Sequence, residues 1–185
     1  MDAARRILTV LDENLVGPGT LRLLGGAALI VGYGLRRTTE DVDLVMDSDE
    51  VQVLIDEAGL SEALERTNAL LEPEGLYLTN IWGPEQQILT PSWRENCRRV
   101  PVEGLSKLSV FVLGPIDLIA SKMCRADALD LDDVEFLVRR EQLDAVVLLD
   151  VLRREARVPT EFRSFWPEAL ARLARRLSVP PTEPS

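Results

Sequence analysis

Histidine is absent from this chain of 185 residues. That single absence excludes Ser-His-Asp and Cys-His catalysis, His-ligated zinc and imidazole acid–base chemistry. Cysteine is nearly absent. Cys97 and Cys124 lie far apart without a Cys-x-x-Cys spacing, which leaves no basis for a disulfide framework or a thiolate zinc site and reads as buried or incidental thiols. Lysine is scarce, with Lys107 and Lys122 standing beside many arginines. Aromatic residues make up 5% of the chain. Tyr33, Tyr77, Trp82, Trp93 and Trp166 read as packing or hinge residues before base-stacking ones. The longest uncharged stretch, between Arg22 and Arg36, is interrupted by four glycines and falls short of the ~18 residues of a membrane span. Met1-Asp2-Ala3-Ala4-Arg5-Arg6 leads on to Asp12 and Glu13 without the apolar core of a secretion signal. A cytoplasmic location without membrane contact is therefore expected.

The chain also lacks a positive balance. A net charge of −10 argues against a basic coat for non-specific duplex DNA binding, which depends on neutralising phosphates. Local basic groups remain: Arg94, Arg98 and Arg99 in one predicted loop, and Arg153, Arg154 and Arg157 near the end of a predicted helix. These read as solvated faces and helix-end charges, or as a track for RNA. With 46% hydrophobic residues the chain can bury one good core, so a single domain over about 1–177 is expected.

What is present is a run Leu23-Leu24-Gly25-Gly26-Ala27-Ala28, followed after a short helical stretch by Arg37-Thr38-Thr39-Glu40-Asp41-Val42-Asp43-Leu44. The first reads as a strand turning tightly into a helix. Backbone N–H groups at that helix start can face an anion, and Gly25 and Gly26 would let the chain approach a triphosphate closely. The bland alternative is a plain tight turn. No Walker motif and no dinucleotide fingerprint is present. Asp41 and Asp43, at i and i+2 on a strand, point to one face within about 7 Å of each other, an arrangement that suits Mg²⁺. The alternative for them is an exposed Asp-x-Asp on an edge strand.

The remaining pattern predicts a first amphipathic helix over 3–15 ended by Gly17-Pro18-Gly19, and strands at 21–24, 42–46, 76–82 and 107–113. Short helices are predicted at 27–31, 51–57 and 62–71. Residues 83–103, with Pro91 and Pro101, read as a long unpatterned excursion. After Gly114-Pro115 the pattern turns helical, at about 115–125, 132–140, 142–157 and 168–177, and 178–185 reads as a disordered tail. The fold class is α+β: a mixed sheet core over about 1–113 flanked by helices, and a helical C-terminal part over about 115–177.

The Gly-Gly turn followed by Asp-x-Asp on the next strand resembles the nucleotidyltransferase superfamily of the DNA polymerase β type. Arg37-x-Thr39-x-Asp41-x-Asp43-Leu44 is similar, more narrowly, to the small bacterial group that includes the abortive-infection (AbiEii-type) toxin nucleotidyltransferases. Pro115-Ile116-Asp117-Leu118-Ile119-Ala120-Ser121-Lys122 resembles that group's Pro-x-Asp-Leu-x-x-x-Lys helix, and Arg125 with Asp130-Leu131-Asp132-Asp133-Val134 its Arg and Asp-Leu-x-Asp-Ile. The resemblance implies a Mg²⁺-dependent transferase that moves a nucleoside monophosphate from an NTP to a hydroxyl of an RNA (tRNA-like) or protein acceptor. It also implies the toxin half of a toxin–antitoxin pair with a cognate antitoxin as partner. Asp41 and Asp43 would hold the metal, Gly25 and Gly26 the nucleotide phosphates, and Arg37 and Thr39 would support the phosphates or the acid-bearing strand. Lys122 is either a catalytic contact to the phosphates or surface charge, and Asp130 and Asp133 are either helix N-caps or cleft residues. The superfamily usually adds a third acid from a later strand, and Glu103 is the nearest candidate. A catalytically silent nucleotide-binding or protein-interaction module of the same fold is the alternative.

Overall fold

The strands of this chain alternate, and the alternation decides which face of the sheet is buried. The computed structural model describes residues 2–179, apart from the side chain of Thr79. Its elements run α1 (Ala3–Asn14), β1 (Gly19–Leu24), α2 (Gly25–Tyr33), β2 (Asp41–Val45), α3 (Ser48–Ala58), α4 (Leu60–Leu71), β3 (Tyr77–Trp82), β4 (Arg98–Val100), β5 (Leu108–Val112), α5 (Pro115–Lys122), α6 (Ala128–Glu141), α7 (Ala145–Glu155) and α8 (Trp166–Arg176). The strands form one mixed sheet in the order β3-β2-β1-β5-β4. Strand β1 runs antiparallel to β2 and parallel to β5, β3 is parallel to β2, and β4 is antiparallel to β5. The class is α+β, as the pattern implied.

Two compact units divide the described residues. The first comprises the residues up to Pro84 together with Asn96–Leu113, and the second Glu85–Glu95 together with the residues from Gly114 on.

In the first unit, Leu21 and Leu23 of β1, Val42 and Leu44 of β2, and Val110 and Val112 of β5 are all buried. They lie on the sheet face that meets α1, α2 and α4. Ile7, Leu8 and Leu11 supply the apolar face of α1, and each is fully buried, which stabilises by roughly 1.5–3 kcal/mol per side chain. Helix α2 sits so close to β5 that a β-carbon at Gly32 would stand 2.7 Å from Val112 Cγ2.

The end of α1 is fixed by a polar knot. Asp12 accepts from the backbone N–H groups of Ser106, Lys107 and Leu108 at 2.9, 2.8 and 2.7 Å, and from Ser106 Oγ at 3.0 Å. Burial pushes the Asp12 carboxyl up, but these donors outweigh it, and the group sits below the ordinary carboxylate range. Lys107 Nζ in turn donates to the carbonyls of Asp12, Glu13 and Leu15 at 3.0, 3.2 and 2.6 Å. These are the carbonyls that a helix leaves unsatisfied at its C-terminus.

The second unit holds α5 to α8. The segment 85–95 joins it through Thr90 N–H, which donates to Asp117 Oδ1 at 2.6 Å, and through Arg157 N–H, which donates to Leu89 O at 2.8 Å. Arg153 and Arg154 fall in the last turn of α7, where cations complement the helix dipole.

Several elements differ from the sequence expectation. Strand β4 lies inside the excursion read as unpatterned, so Arg98 and Arg99 are strand residues. A strand of three residues is too short for alternation to register. Helix α2 is longer than predicted at both ends, starting at Gly25 and ending at Tyr33. The expected tail lies, from Pro180 on, outside the described residues. No helix among the described residues is long and apolar enough to cross a membrane.

Candidate active site

The antiparallel pairing of β1 with β2 does the first piece of positioning. Leu24 at the end of β1 lies opposite Asp43, so the chain leaves β1 and enters α2 directly beside that carboxylate. Gly25 makes the turn with φ at +66°, a backbone conformation that costs an L-residue about 1–2 kcal/mol. A β-carbon there would lie 3.4 Å from Asp43 Oδ2. The next residue meets the far side of the same site: a β-carbon at Gly26 would lie 3.1 Å from Arg37 Nη2 and 3.3 Å from Thr39 Oγ1. Gly25, Gly26, Arg37, Thr39, Asp41 and Asp43 are thus brought to one place.

Each acid of the pair is held by a neutral donor. Thr39 Oγ1 donates to Asp41 Oδ1 at 3.0 Å, and Asn80 Nδ2 on β3 donates to Asp43 Oδ1 at 3.0 Å. Asp41 and Asp43 are both half-buried on the sheet face opposite the buried Val42 and Leu44, as residues at i and i+2 must be. Such a face offers two hard oxygen donors beside a glycine turn whose missing side chains leave room for a phosphate. That donor set fits Mg²⁺, which commonly takes one or two protein carboxylates and completes its octahedron with water and phosphate oxygens.

A third acid does not join them. Among the described residues, no three Cys, Asp or Glu side chains come together as a group able to hold a metal, and Glu103 sits in an exposed turn ahead of β5.

Lys122 lies in the second unit, at the end of α5. It is 6% exposed, so the reading as surface charge is overturned. Its Nζ pairs with Asp133 Oδ2 at 2.6 Å and Asp130 Oδ1 at 3.3 Å, and Arg125 Nη2 reaches Asp130 Oδ1 at 3.0 Å. The N-cap of α6 is Asp127, which accepts from Asp130 N–H at 2.8 Å. Asp130 and Asp133 are not caps but the buried counter-charges of Lys122, one turn further into the helix, a correction to the capping expectation.

Two of the aromatic residues singled out from the sequence are buried, whereas Tyr77 is 42% exposed. Tyr33 is buried and donates its hydroxyl to Leu113 O at 2.7 Å, and Trp93 is buried under the guanidinium of Arg94. Cys97 and Cys124 are half-buried and form no disulfide among the described residues, and burial pushes the Cys124 thiol up. The residue that sequence reasoning missed at the site is Asn80. Its place depends on an irregularity in β3, for which the sequence carries no signal.

Comparison with known proteins adds one finding. A family model described as "Nucleotidyltransferase of unknown function (DUF6036)" matches residues 6–164, a span that takes in the glycine turn, both aspartates and the helices α5 and α6. No curated protein and no solved structure matches the chain.

Proposed function

We propose a reaction for this chain from the premise that it belongs to the nucleotidyltransferase family of unknown function matched above: transfer of a nucleoside monophosphate from an NTP to an acceptor hydroxyl, with release of pyrophosphate. The observation that supports it is the convergence of Gly25, Gly26, Asp41 and Asp43. A β-carbon at Gly25 would touch Asp43 Oδ2 at 3.4 Å, so the phosphate-accommodating turn and the acid pair form one site.

In this reading Asp41 and Asp43 hold Mg²⁺ through their oxygens. The bound metal would neutralise the polyphosphate and make the α-phosphorus easier to attack. The rest falls to the chain's own groups. Gly25 and Gly26 admit the phosphates to the start of α2, where backbone N–H groups point outward. Arg37, with Nη2 lying over Gly26, adds a fixed positive charge to the same place, and Thr39 orients Asp41. The new bond joins the acceptor oxygen to the α-phosphorus, the bond from that phosphorus to the bridging oxygen of pyrophosphate breaks, and the hydroxyl proton leaves to solvent. Such in-line transfer depends mainly on positioning and charge neutralisation, so a chain without histidine can carry it out.

Lys122 enters the proposal through the family resemblance alone, as a catalytic contact to the phosphates. Within its own unit its ammonium is engaged by Asp130 and Asp133. An RNA (tRNA-like) end or a protein hydroxyl as acceptor, a toxin role opposed by a cognate antitoxin, and action in the cytoplasm belong to the same proposal.

Labelled NTPs incubated with Mg²⁺ and either bulk RNA or bulk protein test it. Label should pass to one acceptor class, and Asp41→Asn and Asp43→Asn should each lower the rate by a hundredfold or more, an estimate on the order of other electrostatic deletions. That Asp41 and Asp43 stand without a third acid among the described residues favours one rival, a silent nucleotide-binding module. Tight Mg·NTP binding without transfer to either acceptor class would establish that rival, and no metal-dependent NTP binding at all would refute both.

A further inference from the structure

Regular pairing of β2 with β3 would set Thr79 opposite Asp43. Instead Val42 lies opposite Leu78 and Asp43 opposite Asn80, so β3 carries one extra residue between them. A bulge of this kind re-aims the side chains that follow it. Here it brings the Asn80 amide onto the acid-bearing face, 3.0 Å from Asp43 Oδ1. An ionised carboxylate can only accept, so the amide nitrogen faces it.

We propose, resting on the reading of this site as a nucleotidyl-transfer centre, that Asn80 is its positioning residue: it holds Asp43 through its amide and leaves the cluster one negative charge short of a three-acid site, so that the divalent cation binds jointly with the nucleotide's phosphates. The argument has two steps. With Oδ1 engaged by Asn80, Asp43 keeps Oδ2 on the side where the absent β-carbon of Gly25 leaves space. The position nearest that acid on the neighbouring strand is neutral, and the affinity of a carboxylate site for a hard cation rises with its number of charged ligands. Asp41 and Asp43 alone therefore hold the cation loosely, and phosphate oxygens supply the missing charge. The coupling is reciprocal: nucleotide strengthens metal binding by the same factor as metal strengthens nucleotide binding.

Mn²⁺ titration of the full chain, read by electron paramagnetic resonance with and without a non-hydrolysable NTP, tests this. The unsubstituted chain should bind Mn²⁺ weakly alone and at least roughly tenfold more tightly with the nucleotide. Asn80→Ala should weaken the nucleotide-linked binding by about tenfold, as loss of a ligand's supporting hydrogen bond does elsewhere. Asn80→Asp should bind Mn²⁺ alone about tenfold or more tightly than the unsubstituted chain and lose most of the nucleotide dependence. The exchange Asp43→Asn with Asn80→Asp should recover Mn²⁺ binding that Asp43→Asn alone loses, because the carboxylate then stands on the other strand of the same pair. Asn80 is exposed, so unchanged melting temperatures should accompany all of these shifts. Unaltered Mn²⁺ affinity in both Asn80 variants, with the unsubstituted chain binding normally, overturns the role of Asn80 and leaves the transfer reading standing. Failure of the unsubstituted chain to bind Mn²⁺ under either condition overturns both.

Discussion

A β-carbon placed on Gly26 would come within 3.1 Å of Arg37 Nη2, so helix α2 and the loop after it meet at a residue without a side chain. Replacing that hydrogen with a methyl group, in Gly26→Ala, displaces the end of a long, flexible guanidinium and a threonine hydroxyl rather than backbone. The melting temperature should change little. NTP affinity, followed by isothermal titration, should fall by about tenfold, because small misplacements of positioning groups are costly. Gly25→Ala differs: with φ at +66° it should lose about 1–2 kcal/mol of stability as well.

The structure pairs Lys122 with both Asp130 and Asp133, while the exposed Arg125 reaches Asp130 from the side. Lys122→Met should therefore destabilise the chain by about 3–5 kcal/mol in urea unfolding, since it strands buried carboxylates. Adding Asp130→Asn and Asp133→Asn to that variant should restore most of the loss. A Lys122→Met variant as stable as the unsubstituted chain would remove the structural assignment.

Asp12 gives a pH dependence of definite sign. Its carboxyl titrates lower in the folded chain than in the unfolded one, because the N–H groups of Ser106, Leu108 and Lys107 and the Ser106 hydroxyl favour the charged form over the opposing effect of burial. The stabilisation is thus present above the unfolded value of about 4 and is lost as pH falls through the folded value. Asp12→Asn should be less stable than the unsubstituted chain at pH 7, and the gap should close between about pH 4 and the acid limit. Melting curves taken from pH 7 downward measure it.

Gly32 tests the seating of α2 on the sheet. A β-carbon there would stand 2.7 Å from Val112 Cγ2, so Gly32→Ala should cost about 1–3 kcal/mol through overpacking. Val112→Ala in the same chain should relieve part of that cost. Additive losses in the double variant would show that the contact is not made.

The elements that sequence pattern located are those whose signal is local. Leu108, Val110 and Val112 alternate over enough residues to mark β5, and Asp41 with Asp43 share a face through the two-residue period alone. The glycine turn was readable because a φ of +66° at Gly25 demands the residue that stands there. What escaped depends on partners distant in sequence. The burial of Lys122 depends on its pairing with Asp130 and Asp133 across a turn and the next helix, and the cap of α6 falls to Asp127 rather than to either of them. Asn80 was invisible because a one-residue bulge, not periodicity, turns it toward Asp43. Strand β4 was missed because pairing with β5, at Arg98–Val112 through Val100–Val110, defines it more than its own three residues do.

The path of the chain carries a practical consequence. Residues 85–95 leave the sheet-bearing body, are fastened to the helical one by Thr90 to Asp117 and Arg157 to Leu89, and return at Asn96 to build β4. A fragment stopped after Leu113 would retain Ile88 and Leu89, both buried in the intact molecule, while losing Asp117 and Arg157, the partners in those two fastenings. Truncation at the apparent boundary therefore yields a sticky, aggregation-prone product, and excising the sheet body cleanly requires replacing residues 85–95 with an engineered loop long enough to cross from the β3 edge of the sheet to its β4 edge, four strand spacings or about 19 Å away.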